Sequence, residues 1–107
     1  KDPHAFFFVC EDPQSKQLIG YVRADKKDNE WVISIAVSDA YRGRGYGTKM
    51  IREACKQIEI SDLNIKIVAW VQEQNIASIN SFKKAGFIYV SEKLFDDQKY
   101  IKLCKLL

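Results

Sequence analysis

The sequence predicts an α+β fold, a mixed and mostly antiparallel sheet of about six strands with two helices packed on it. Three observations carry this expectation. Strand-like apolar runs open and close the chain, a helical period takes over at Gly47, and a second, capped helical run ends at Gly86.

Residues 5–10 (Ala-Phe-Phe-Phe-Val-Cys) and 18–24 (Leu-Ile-Gly-Tyr-Val-Arg-Ala) are the first two strands. They flank Asp12-Pro13-Gln14-Ser15, whose proline and short polar side chains favour a turn, so the pair reads as an antiparallel hairpin. Residues 25–30 are all charged or amide and form a polar tip. Residues 31–37 (Trp-Val-Ile-Ser-Ile-Ala-Val) are apolar on both faces, as a strand in the middle of a covered sheet would be. From there Gly47, Met50, Ile51, Ala54, Cys55 and Ile58 make one stripe at helical spacing, which places a helix over about 46–59. Ser61-Asp62-Leu63-Asn64 supplies the break, and residues 65–71 alternate as a short β-branched strand. Asn75 is placed to cap a helix over 76–85, which carries Ile76, Ile79 and Phe82 on one side and Lys83 and Lys84 on the other. Gly86 sits where a left-handed residue ends a helix. Residues 87–94 and 99–106 then form a final hairpin around Asp96-Asp97-Gln98.

With 107 residues the chain is expected to be a single domain over 1–107. Its 17 basic and 14 acidic side chains leave a net charge of +3, and 47% of its residues are apolar, both ordinary for a globular protein. The longest apolar run is six residues, against about 20 for a membrane-spanning helix, so no membrane association is expected. Cys10, Cys55 and Cys104 are odd in number and far apart, which suits reduced thiols of a cytoplasmic protein and gives no metal-ligand spacing. Lys and Arg are scattered among acids without interleaved aromatics, so nucleic acid is not an expected partner.

The chemistry concentrates at Arg42-Gly43-Arg44-Gly45-Tyr46-Gly47, between the most apolar strand and the long helix. Glycine lets the backbone approach a ligand closely, and the helix that follows points its free N–H groups and positive dipole end at whatever lies above it. Arg42, Arg44, Lys49 and Arg52 gather before the first acid, Glu53, and favour a phosphate or diphosphate. A tight glycine turn with solvated arginines would need the same residues. The order Gly47-Thr48-Lys49 is wrong for a P-loop, and G-x-G-x-G is wrong for a dinucleotide fingerprint.

The run from Val37 through Arg42-Gly-Arg-Gly45-Tyr-Gly47 resembles the acetyl-CoA signature of the GNAT superfamily of N-acetyltransferases. Asn75-x-x-Ser78-x-x-x-Phe82-x-x-x-Gly86-Phe87 resembles that family's second motif, in the right order and at the right distance. The resemblance implies a GNAT-like fold and transfer of the acetyl group of acetyl-CoA to a primary amine on a small molecule, an amino sugar or a protein. It implies that the backbone of Ile35, Ala36 and Val37 pairs with the pantetheine arm, and that Arg42, Gly43, Arg44, Gly45, Tyr46, Gly47 and Thr48 hold the diphosphate. Asn75 would bond the cofactor arm, with Ser78 and Phe82 at the thioester end. Many relatives donate a proton to the leaving thiolate from a tyrosine where this chain has Phe82. The base is open: Trp70 occupies the place of a glutamate found in some relatives, which leaves Glu73 and Glu30 as candidates, directly or through water, or as ordinary surface carboxylates. The family's first strand and two helices are missing before Leu18, so the chain reads as N-terminally truncated, as part of a longer chain, or as one member of a homodimer. A non-catalytic acyl-CoA-binding or regulatory module is the alternative, favoured by Phe82, Trp70 and the missing acceptor elements.

Overall fold

The computed structural model describes residues 4–62 and 65–105. Its elements are β1 (Ala5–Glu11), β2 (Leu18–Lys27), β3 (Glu30–Val37), a 3-10 turn (Asp39–Tyr41), α1 (Tyr46–Ser61), β4 (Lys66–Gln72), α2 (Ile76–Lys84), β5 (Ile88–Phe95) and β6 (Gln98–Lys105). The six strands form one sheet in the order β1-β2-β3-β4-β6-β5, antiparallel except for β3 and β4. The predicted α+β class and element order therefore hold, and the apolar run 31–37 does lie inside the sheet.

The stripe on α1 explains where the core sits. Met50, Ile51, Ala54, Cys55 and Ile58 are buried against Val22 and Ala24 of β2, Trp31 and Ile33 of β3, and Ile67 and Ala69 of β4. Leu103 of β6 and Ile79 and Phe82 of α2 close the same cluster. Cys55 and Cys104 are buried and Cys10 is partly so, all three as free thiols, and burial pushes the Cys55 thiol up to about 11.

Two boundaries differ from the sequence reading for a clear physical reason. The expected tip at 25–30 shrinks to Asp28-Asn29, because Asp25, Lys26 and Lys27 continue the ladder opposite Val32, Trp31 and Glu30. Asp28 takes φ +52°, as a tight two-residue hairpin turn requires. Ser61, expected in the break, is the last residue of α1, since its hydroxyl donates to the Gln57 carbonyl oxygen at 3.0 Å. Asp62 then caps the helix, and its carboxylate receives Lys26 Nζ at 2.6 Å and Trp31 Nε1 at 3.3 Å, tying the end of α1 to the β2-β3 hairpin. Leu63 and Asn64 of the expected break, and Leu106 of the last strand, lie outside the described residues. Finally, β5 forms the sheet's rim and is exposed at every position, with a register shift between Tyr89 and Ser91.

Among the described residues no helix is long and apolar enough to cross a membrane, and no cluster of three His, Cys, Asp or Glu could hold a metal ion.

Candidate functional site

β3 and β4 run parallel for only three register pairs, Glu30 with Lys66, Trp31 with Ile67 and Val32 with Val68. Beyond Val32 they separate, so the C-terminal half of β3 faces a gap where a sheet neighbour would otherwise be. The chain then turns through residues 42–47, with φ of +75° at Gly43 and +84° at Gly45, the N-cap of α1. The first turn of α1 holds no acidic residue, and a Cβ added at Gly45 would have nothing within 4 Å. Gly47 serves a different need, since a Cβ there would stand 2.9 Å from Ser81 Oγ, so its absence lets α2 close against α1.

α2 forms the far wall. Asn75 caps it as expected, its Oδ1 accepting from the Ser78 backbone N–H at 3.3 Å. At the other end the Gly86 N–H donates to the Lys83 carbonyl at 3.0 Å and the Phe87 N–H to the Phe82 carbonyl at 3.0 Å, with Gly86 at φ +100°. This is a Schellman motif, and its accompanying apolar contact is the edge-to-face pair of Phe82 and Phe87 at 5.0 Å.

The result is a cleft of about 380 Å³ that brings together Ile35, Ala36 and Val37, then Arg42, Gly43, Gly45, Tyr46, Gly47 and Thr48, and Asn75 and Ser78 from α2. Eleven of the thirteen residues expected around a cofactor thus share one wall-to-wall space. Arg44 lines neither this cleft nor the cavity beyond it; its guanidinium lies 5.5 Å over the Tyr41 ring. Phe82 is 1% exposed and belongs to the core as much as to any site, though it touches the neighbouring cavity.

The basic residues divide their work. Arg42 braces the turn, its Nε donating to the Val37 carbonyl at 3.2 Å while its Nη1 pairs with Asp39 at 3.3 Å. Lys49 sits 5.8 Å over the Tyr46 ring. Arg52, counted with the turn in the sequence, turns away and donates to the Lys84 carbonyl at 2.9 Å at the end of α2. Lys84 itself lines the cleft, as do Tyr41, Ala77, Asn80 and Ser81, which the sequence reading missed. Lys84 was legible only as one of two cations on the polar side of a helix; which element that side faced was not in the local pattern.

Tyr41 is held by the first hairpin. Its hydroxyl donates to Asp12 Oδ2 at 2.9 Å and lies 3.3 Å from Ser15 Oγ. The Gln14 backbone N–H, then Tyr41, then the Ser15 N–H hold the Asp12 carboxyl below the usual carboxylate range.

A second cavity of about 570 Å³ opens on the other side of the splay, lined by Ile33, Ser34, Trp70, Gln72, Phe82 and Tyr100 among others. Ile35, Asn75 and Ser78 line both spaces and so mark the junction between them. Neither Glu30 nor Glu73 lines either space. Glu30 starts β3, at the paired end away from the gap, and meets Lys102 at 3.6 Å; Glu73 meets Lys99 at 3.6 Å.

A sequence model of the acetyltransferase (GNAT) family matches residues 1–87. An uncharacterised N-acetyltransferase of Methanocaldococcus jannaschii is 30% identical over 89 residues, which is 76% of this chain and 38% of that protein. The chain thus matches well under half the length of that curated relative. Among solved structures, a point mutant of the spermidine N-acetyltransferase SpeG from Vibrio cholerae superposes with a TM-score of 0.81 at 23% identity, covering 98% of this chain and 67% of that one. A ribosomal-protein alanine acetyltransferase from Vibrio fischeri gives a TM-score of 0.85 at 19% identity, over 95% of this chain and 61% of its own. At these identities the likeness establishes the fold.

Proposed function

The chain belongs to the acetyltransferase (GNAT) family, and from that premise we propose that it transfers the acetyl group of acetyl-CoA, the donor the family generally uses, to a primary amine. The observation that carries this reading is that two spaces meet at the β3-β4 splay and share Ile35, Asn75 and Ser78 as lining.

In the donor cleft, the turn 42–47 and the start of α1 receive the diphosphate. The first backbone N–H groups of an α-helix have no partner within the helix, and the dipole favours negative charge there. Thr48 and Lys84 add a hydroxyl and a cation from the two walls. The pantetheine arm lies along Ile35, Ala36 and Val37, in the gap that β4 leaves, so its amides pair with β3 as an added strand would. Asn75 spends its Oδ1 on capping α2 and keeps its NH₂ to donate to the arm.

The acceptor enters from the second cavity. Its neutral amine adds to the thioester carbonyl carbon, and a backbone N–H of β3 meets the oxyanion of the tetrahedral adduct. The adduct then collapses, breaking the C–S bond and releasing the thiolate as the new amide nitrogen gives up its proton to water. An alkylamine is mostly protonated near neutral pH and must lose a proton first. With Glu30 and Glu73 outside both spaces, that proton leaves through water in the cavity. Phe82 cannot donate to the departing thiolate. Ser78 carries the hydroxyl that lines both spaces, and it is the side chain we assign to that role.

Free-thiol release from acetyl-CoA with a panel of amines tests the reading, alongside calorimetric titration of CoA. Amine-dependent thiol release supports a transferase. Tight CoA binding with no such release, from any amine, would leave an acyl-CoA-binding module instead.

A further inference from the structure

The far wall of the second cavity has a chemical character of its own. Trp70 of β4 is 37% exposed, and two ammonium groups stand over its ring, Lys93 Nζ at 5.4 Å from β5 and Lys102 Nζ at 5.6 Å from β6. The sheet register brings them there: Trp70 pairs with Lys102, and Lys93 pairs with Tyr100, the residue two before it on β6. Trp70, Lys93, Phe95 and Tyr100 line a hollow of about 340 Å³, and Trp70 and Tyr100 also line the second cavity, so the two spaces share a wall.

Among the described residues neither space is lined by an Asp or Glu. Glu30 is engaged by Lys102 and Glu73 and Glu92 by Lys99, while Asp96 and Asp97, in the β5-β6 turn after Phe95, line neither space. Lys93 has its ring contact with Trp70 and no carboxylate partner among the described residues. A polycation entering the hollow would meet Lys93, which has no such partner, while Lys102 beside it is paired with Glu30.

Resting on the reading of the second cavity as the acceptor side, we infer that the acceptor is an amine that carries an anionic group, a carboxylate or a phosphate, which Lys93 receives beside Trp70 with Lys102 behind it. The amine end then points toward the junction at Ser78 and Asn75. Trp70 supplies a flat apolar surface for the body of the molecule, and Lys93 fixes the end that bears the charge, with Lys102 adding to the local field from its pair with Glu30.

The test is equilibrium binding read by quenching of Trp70 emission, with CoA present. Trp31 is buried and supplies a constant background, and Trp70→Phe identifies the responsive signal. The probes are free α-amino acids against their carboxamides, an amino-sugar phosphate against the unphosphorylated amino sugar, and spermidine. At least one anionic probe is expected to bind about fivefold or more tightly than its neutral partner, the scale of a partly exposed charged contact. Whichever pair shows the gap identifies carboxylate or phosphate. Lys93 is exposed, so Lys93→Gln should fold normally and shrink the gap, and Lys93→Gln with Lys102→Gln should close it. Equal affinity for charged and neutral members of both pairs, a gap that Lys93→Gln leaves undiminished, or spermidine binding best of all overturns the inference. Thiol release measured on the same panel separates the two readings. Turnover of neutral amines without charge selectivity removes the anion site and keeps the transferase. Charge-selective binding with no turnover removes the transferase and keeps the anion site.

Discussion

Replacing Gly45 separates what the turn does as a shape from what it does as an electrostatic surface. At φ +84° a residue with a Cβ pays for the left-handed conformation, roughly 1–2 kcal/mol in general and less for Asp and Asn, which bond locally there. No atom within 4 Å would be struck. Gly45→Asn and Gly45→Asp should therefore fold with stability losses near 1 kcal/mol, about 4–8 °C in Tm for a domain of this size. The two differ in one unit of charge. A carboxylate some 8 Å from a diphosphate at an effective dielectric constant near 20 is repelled by about 2 kcal/mol per phosphate charge, before salt screening reduces it. A net penalty of about 2 kcal/mol corresponds to roughly thirtyfold in affinity. Calorimetric titration of CoA into the wild type and both variants should thus give a Kd that rises a few-fold for Asn and roughly another thirtyfold for Asp, with the Asp penalty shrinking as salt is added. If Asp and Asn weaken binding equally, and salt leaves both unchanged, no anion sits above the turn and the donor-side assignment fails.

Phe82→Ala removes a ring that is 1% exposed and closes both the core and the end of α2 against Phe87, so it should cost about 3–5 kcal/mol, read as a lower denaturation midpoint in urea. Acid should loosen the first hairpin. The Asp12 carboxyl is held below its ordinary range in the folded chain, so the unfolded chain takes up its proton first. Its stabilisation is complete above the ordinary carboxylate pKa of about 4 and is lost as pH falls through the lowered value. Asp12→Asn should flatten the fall of Tm below pH 4 relative to the wild type, and an unchanged acid limb would contradict the hold that the Gln14 N–H, Tyr41 and the Ser15 N–H have on this carboxylate. Cys55, with its thiol pushed up to about 11, should resist iodoacetamide at pH 8 in the native protein and react once urea unfolds it; mass spectrometry of the labelled chain reads both states.

What the sequence could and could not disclose follows from how local each cause is. The stripe on α1, the Asn75 cap and the Gly86 terminus depend on residues within a few positions of one another, and the periodicity and end signals located them. The glycine turn is equally local, and with it much of the lining of the cleft between β3, α1 and α2. The strand end at Asp25–Lys27 was hidden because charged side chains read as loop, whereas their backbone is fixed by the partner strand opposite. Lys84 and Ser81 on one side, and Arg52 on the other, exchange roles for the same kind of reason: which cation faces the cleft depends on how α2 lies against α1, and that is set by the missing side chain at Gly47 and by Arg52 reaching the Lys84 carbonyl. Glu30 starts β3 at the end away from the cleft, and Glu73, just past the end of β4, pairs with Lys99 instead. Glu30 is seven residues from Val37, a strand's length away.

The short seam between β3 and β4 has a bearing on how the chain survives when empty. An open strand edge belongs at the rim of a sheet, where lysines, bulges and short lengths discourage a stranger from pairing with it. Here two such edges lie in the middle, on the halves of β3 and β4 beyond Val32 and Val68, and the splay exposes them to whatever extended chain arrives first. A molecule resident in the gap would occupy the backbone groups that invite misassembly. Saturation with that molecule would then govern the working lifetime of the protein in a crowded solution as well as any rate it achieves.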